Sequence, residues 1–189
     1  MALKIRTTSK TNMPALTPEP LDVLQLQQYA DAIIAWFDRY RPEFSRIIRL
    51  QRSTGARITE MFQPDRWVFP RSTAVQITPQ KGNATRVVSV EDLGLKSTDE
   101  LKHTLSDMRR LTKNQYERSF ARAVRDVGLW RLYESGFTHP SSHFFRHLRI
   151  KEFNSKKFDK NFLGNWIGEK NLDNLNYYTD SQFFGELDS

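Results

Sequence analysis

Apolar residues recur along most of this chain at intervals of three and four, the period of a helix that buries one face. The first such run follows Thr17-Pro18-Glu19-Pro20, where Thr17 can cap and Pro18 suits a first turn; it carries Leu26, Tyr29, Ala30, Ile33, Phe37 and Tyr40 on one face. Pro42 opens a second helix with Phe44, Ile47 and Ile48 turned inward, and Thr54-Gly55 is its stop signal. Over residues 67–90 the pattern changes. Runs rich in β-branched residues at 74–78 and 85–90, separated by Pro79-Gln80-Lys81-Gly82-Asn83-Ala84, predict an antiparallel hairpin. Helical spacing returns at Ser97 and lasts to about Leu111. Thr112 and Gln115 then form a capping-box pattern for a helix that reaches Val127 and ends at Gly128, with Tyr116, Phe120, Ala123, Val124 and Val127 as its core stripe. Residues 129–142, with Gly136 and Pro140, read as a loop. Ser141 or Ser142 can cap the helix that follows, and Leu148, Phe153, Phe158 and Phe162 add apolar weight. The expectation is a mainly α chain with a small antiparallel β-hairpin or sheet, an α+β class.

The ends differ from the middle. Residues 1–16 are polar and aperiodic and read as a flexible arm, so one domain is expected over 17–180. In the tail at 181–189, Phe183, Phe184 and Leu187 form a stripe too short to fold alone, which predicts docking in a groove of this or a neighbouring subunit. No apolar run approaches the roughly 20 residues that span a bilayer, and Met1-Ala2-Leu3-Lys4-Ile5-Arg6 opens no signal peptide, so the cytoplasm is the expected compartment.

Charge narrows the choice of partner. The formal charge of +7 is concentrated in residues 101–160, where 14 Lys/Arg face 6 Asp/Glu for a net +8, leaving −1 for the rest. A basic surface of this kind suits a polyphosphate partner, through release of its counterions, although a solvated face has the same composition. In the helix after Thr112, Arg118, Arg122 and Arg125 lie off the core stripe and are candidates for phosphate contact; Lys156 and Lys157 are solvated or phosphate-facing. Cysteine is absent, which excludes disulfides and thiolate chemistry. His143 and His147 have the i, i+4 spacing of a zinc pair, but the glutamate of an H-E-x-x-H motif is missing and no P-loop occurs, so neither metal nor ATP nor another cofactor is expected.

Three stretches carry chemistry together. Ser53-Thr54-Gly55-Ala56-Arg57-Ile58-Thr59-Glu60 puts Arg57 just past a helix end, a good place to meet an anion. Lys81-Gly82-Asn83 stands at the hairpin tip, and His143-Phe144-Phe145-Arg146 is followed by Tyr178-Thr179. Alone, each has an ordinary reading as a solvated arginine, a turn lysine or a packed histidine. As a set they resemble the tyrosine recombinase (phage integrase) family, with its T-G-x-R-[IV]-[ST]-E box, its G-K-G-N hairpin and its H-x-x-R…Y order. The gaps of 24, 65 and 32 residues between Arg57, Lys81, Arg146 and Tyr178 match the family's approximate spacing.

The resemblance implies the catalytic-domain fold of that family and a site-specific DNA recombinase that cuts and rejoins strands through a 3′-phosphotyrosyl intermediate. It implies Tyr178 as nucleophile, Arg57 and Arg146 as the phosphate clamp, Lys81 as general acid and His143 as donor or proton shuttle. Glu60, His147 and Glu169 would support them. The implied partner is double-stranded DNA, bound by a dimer or tetramer, with accessory DNA-binding proteins possible, in a prokaryotic cell or its mobile element. Many members precede this domain with another that closes round DNA, and the stretch before Thr17 is too short for one, so a stand-alone catalytic domain, as in fimbrial phase-variation invertases, is expected. Two departures stand out. Gln80 replaces the usual first glycine of the hairpin, and the family's L-G-[HW] segment falls on Ile167-Gly168-Glu169, putting Glu169 where a His or Trp donor is usual. A DNA-binding relative that has lost turnover therefore stands as the alternative, with a topoisomerase-like relaxer as a third.

Overall fold

The computed structural model describes residues 22–78, 85–95, 97–129, 144–168, 170–173 and 175. The arm 1–16, Thr17 and Pro18, the hairpin tip with Lys81, most of the loop 129–142, Ser141 and Ser142, His143, Glu169, Tyr178 and the tail lie outside the described residues.

The first helix, α1 (Val23–Tyr40), starts five residues later than Thr17 would place it. Asp22 accepts from the Gln25 N–H (2.7 Å) while the Gln25 side chain accepts from the Asp22 N–H (3.0 Å), and this reciprocal box satisfies two of the donors a helix start leaves open. Leu26, Ala30, Ile33 and Phe37 are buried as the spacing predicts. Tyr40 is not. The last residue of the helix overshoots the core and is 54% exposed, whereas Trp36, absent from the expected stripe, is buried with its indole N–H donating to Asp126 (2.8 Å).

A 3-10 turn (Pro42–Phe44) leads into α2 (Ser45–Thr54), which ends at Gly55 with φ +60°. That glycine has a second reason to lack a side chain: a Cβ there would stand 3.3 Å from Arg149 Cβ and 3.5 Å from Arg146 Cα. A one-turn helix, α3 (Ile58–Met61), begins at Arg57. The strand region then holds three strands rather than two: β1 (Trp67–Arg71), β2 (Ala74–Ile77) and β3 (Arg86–Ser89), antiparallel in the order β1-β2-β3. Trp67 pairs with Ile77, a bulge follows between Val68 and Arg71, and Val75 pairs with Val88. Val75, Ile77 and Val88 face the core while Val68 and Val87 face out, as strand alternation requires.

Helix α4 (Thr98–Arg110) is followed by α5 (Lys113–Asp126), whose Thr112/Gln115 box forms as expected. Tyr116 on α5 is the hub of an aromatic cluster, with Phe37, Phe44 and Phe62 each at 5.5 Å and Phe120 at 6.2 Å. Helix α6 (Phe144–Ser155) packs on α1 and α2, and α7 (Lys160–Ile167) packs on β3 and α6. Leu148 and Phe153 are buried, but Phe158 (41%) and Phe162 (37%) are exposed; they stack face to face at 4.6 Å and each meets Phe153 edge-on, at 5.3 and 5.5 Å, covering the edge of the core. Among the described residues no helix is long and apolar enough to cross a membrane.

Candidate active site

Every backbone group of the turn that carries Arg57 is engaged. Thr54 Oγ1 donates to Leu50 O (2.7 Å) and accepts from the Ala56 N–H (3.1 Å). Gln51 Nε2 donates to Ala56 O (3.2 Å), and the Tyr116 hydroxyl in turn donates to Gln51 Oε1 (2.6 Å). Gly55 O accepts from Arg146 Nη1 (3.3 Å), and the Arg57 N–H donates to Glu60 Oε2 (2.9 Å). A turn satisfied on all sides has one conformation, so it can aim a side chain.

Three guanidiniums gather at this turn. Arg57 is the outermost, its side chain 22% exposed, with Nη1 3.6 Å from Glu60 Oε1. Arg146, completely buried on α6, donates from Nη1 to Ile167 O (2.9 Å) as well as to Gly55 O. The third is Arg86, which the sequence reading passed over. It sits on the inward face of β3, donating from Nη2 to Glu60 Oε2 (3.1 Å) and from Nη1 to Trp166 O (3.0 Å). Burial pushes its pKa down to about 10; Glu60 holds it up, while the charges of Arg146 and Arg57 push it further down. Glu60, itself buried, faces Arg57 and Arg86, and among the described residues these three arginines and one glutamate sum to a formal +2. Such a cluster is electrostatically suited to a phosphate group, whose non-bridging oxygens planar guanidiniums bind through paired N–H donors.

Behind Arg146, α6 is braced by a second ion-pair group. Arg52 and Arg149 both pair with Glu152, and Gln27 donates to it (2.9 Å). Burial alone would raise Glu152, but the hydrogen bonds from Arg52 and Gln27 bring its carboxyl below the usual range. The Arg149 guanidinium lies over the rings of Phe153 (4.5 Å) and Trp166 (5.4 Å), linking α6 to α7.

The remaining sequence candidates are distributed as follows. His147 is partly buried on α6, beside Arg146 in the chain. Arg118, Arg122 and Arg125 are exposed on α5, and the first two line a surface cleft of about 480 Å³ with Trp36, Tyr40, Arg41, Ser119 and Asp126. That cleft contains no residue of the guanidinium cluster. Lys156 and Lys157 are exposed in the turn after α6. Lys81, His143, Glu169 and Tyr178 lie outside the described residues, so the structure brings together Arg57, Glu60 and Arg146 from the expected set and adds Arg86.

This is the fold of the tyrosine recombinase catalytic domain. The chain is similar to the XerH site-specific recombinase in a post-cleavage complex with its palindromic difH substrate (14% identity, TM-score 0.58, covering 92% of this chain and 52% of that one). It is similar also to lambda integrase residues 75–356 in a dimer bound to a COC′ core site (17%, 0.60, 96% and 64%) and to XerA recombinase (18%, 0.58, 87% and 61%). The chain thus spans between about half and two-thirds of the length of these solved chains. No family model and no curated protein matches the sequence.

Proposed function

We propose that this chain is the catalytic domain of a site-specific DNA recombinase, acting on double-stranded DNA as a dimer or tetramer without metal or ATP. The observation that carries the reading is the convergence of Arg57 and Arg146, 89 positions apart in sequence, on one turn through Gly55 O and Glu60, in a cluster of net positive charge. In the reaction, Tyr178 Oη attacks the scissile phosphorus, the P–O bond to tyrosine forms and the P–O5′ bond breaks. The tyrosine proton leaves through His143, and Lys81 delivers a proton to the departing 5′ oxygen. Arg57 and Arg146 hold the non-bridging oxygens, whose charge is largest in the crowded transition state. The reverse attack by a 5′ hydroxyl restores the phosphodiester, so bond energy is kept in the phosphotyrosine throughout. Arg118, Arg122, Arg125, Lys156 and Lys157 supply non-specific contacts to the backbone.

One sequence feature favours the second reading, a DNA-binding relative without turnover acting as an accessory or regulatory factor. Glu169 puts a carboxylate where a donor to the phosphate is expected, and an ionised carboxylate opposes charge building there. The deciding experiment incubates the protein with nicked duplexes of randomised core sequence, so that cleavage releases a short strand and traps the enzyme. An adduct surviving denaturation supports the recombinase. DNA binding without any adduct supports the alternative, and Glu169→His restoring the adduct would then identify the lesion.

A further inference from the structure

Arg86 has no part in the steps above, and its place in the fold is an expensive one for a charge. Its strand neighbours on the same face are Val75, Ile77 and Val88, it is 3% exposed, and an apolar side chain would satisfy the packing. What an apolar residue would not do is hold two elements together. One guanidinium nitrogen takes Glu60, which accepts the Arg57 N–H and faces the Arg57 guanidinium; the other takes the carbonyl of Trp166. The next carbonyl, Ile167 O, takes Arg146, and Arg146 closes the circuit on Gly55 O, two residues before Arg57. Arg57 and Arg146 are thus two members of one closed ring, and Arg86 is the member that joins its two halves.

The shared carboxylate adds a second consequence. Glu60 Oε2 lies 3.1 Å from Arg86 Nη2, whereas the guanidinium of Arg57 stands 3.6 Å from Oε1. Arg86 therefore competes for the charge of Glu60 and limits how tightly Glu60 draws in Arg57. Without that competition, Glu60 would close on Arg57 and offset its charge where a phosphate needs it. Trp166 and Ile167 also end the helix from which the chain runs on, eleven positions further, to Tyr178.

We infer that Arg86 is a positioning residue for phosphoryl transfer, setting the orientation of Arg57 relative to Arg146 and anchoring the end of α7 ahead of the nucleophile. This rests on the recombinase reading for its rate consequences but not for its geometric ones. R86K keeps the charge but has no planar fork to span Glu60 and Trp166 O together; R86M keeps the packing and removes both contacts. Both are compared with wild type in three measurements: thermal unfolding, the side-chain Nε–Hε NMR signals of Arg57 and Arg146 with and without inorganic phosphate, and single-turnover adduct formation alongside DNA affinity. The expected result is a folded protein whose Arg57 signal moves and responds less to phosphate. Adduct formation slows by about 100-fold, the order expected for an ångström of misplacement, while DNA affinity changes by less than about threefold. R86K is expected to fall between wild type and R86M in rate. Unchanged Arg57 and Arg146 signals in folded R86M overturn the inference, as does loss of rate and affinity together in step with lost thermal stability. If wild type forms no adduct, the recombinase reading fails, and the Arg57 signal alone decides the tether. Should R86M not fold, R86K decides by the same signals.

Discussion

Replacing Glu60 by Gln removes one charge and almost no volume from the centre of the cluster. An amide oxygen in the place of Oε2 can still accept from the Arg57 N–H and from Arg86 Nη2, at distances of 2.9 and 3.1 Å, so the hydrogen bonds survive in weakened form. The amide nitrogen then takes the place of Oε1, which faces Arg57 Nη1 at 3.6 Å, and two donors oppose each other. Arg57 and Arg86 lose the carboxylate charge that they face. Removing one partner of a buried pair typically costs about 3–5 kcal/mol, and retention of the neutral hydrogen bonds puts this case at about 2–4 kcal/mol. For a chain of this length that corresponds to a fall in Tm of roughly 4–16 °C. The sign of a second effect is opposite for anions. Sulfate or phosphate that binds the cluster in place of the lost charge stabilises the folded state by mass action, by about 2.7 kcal/mol at a hundredfold excess over its Kd. The assay is thermal unfolding of wild type and E60Q across a sulfate series, with chloride at matched ionic strength as control. E60Q is expected to start lower and to gain more from sulfate than wild type does. A variant that unfolds within about 1 °C of wild type, or that gains nothing from sulfate beyond the chloride control, would refute the charge balance assigned to the cluster.

Gly55→Ala forces an L side chain to φ +60° and sets a Cβ 3.3 Å from Arg149 Cβ, so denaturant unfolding should show a loss of about 1–3 kcal/mol; an unchanged midpoint would mean that α6 does not approach the turn this closely. Glu152 has a carboxyl held below its ordinary value of 4.5, so its contribution to stability is complete above that pH and is lost as pH falls through the depressed value. Glu152→Gln should therefore be less stable at neutral pH and show a flatter acid limb below about pH 4.5, measured by unfolding between pH 3 and 7. Arg122→Ala should weaken DNA binding and reduce its salt slope by about one, with single-turnover cleavage of bound DNA unchanged, while Arg146→Lys should do the reverse; equal effects of both on binding and rate would contradict the separation of roles.

Much of the fold was legible because local chemistry and global packing agree. The Thr112/Gln115 box, the Gly55 stop and the stripe from Tyr116 to Val124 each follow from the spacing alone. The misreadings share a cause: periodicity reports which residues can face inward, not where the core ends. Tyr40 continues the period of α1 but lies past the edge of the core, and Trp36 enters the core by pairing its indole with Asp126, a partner 90 positions away. β1 was hidden by a bulge and by Pro70, which interrupt its alternation. In the candidate site, the box at Arg57 and the motif at Arg146 stand out in the sequence because their residue types and spacing are distinctive. Arg86 could not be found that way, yet it left a trace. It shares the inward parity of Val88 and Val90, and a charge in the apolar register of a strand signals a buried partner. The partner, Glu60, lies 26 positions away and becomes visible only once the sheet is folded against α3.

The central claim is that a tyrosine becomes joined to DNA at this cluster, and the most direct measurement identifies that tyrosine. Wild type and Tyr178→Phe are each trapped on the nicked randomised duplexes, digested with protease and nuclease, and the nucleotide-bearing peptide is sequenced by mass spectrometry. The account expects the nucleotide on Tyr178, no adduct with Tyr178→Phe, and DNA affinity close to wild type in that variant. A nucleotide on Tyr177 or on any other residue, or an adduct that survives Tyr178→Phe, would contradict it.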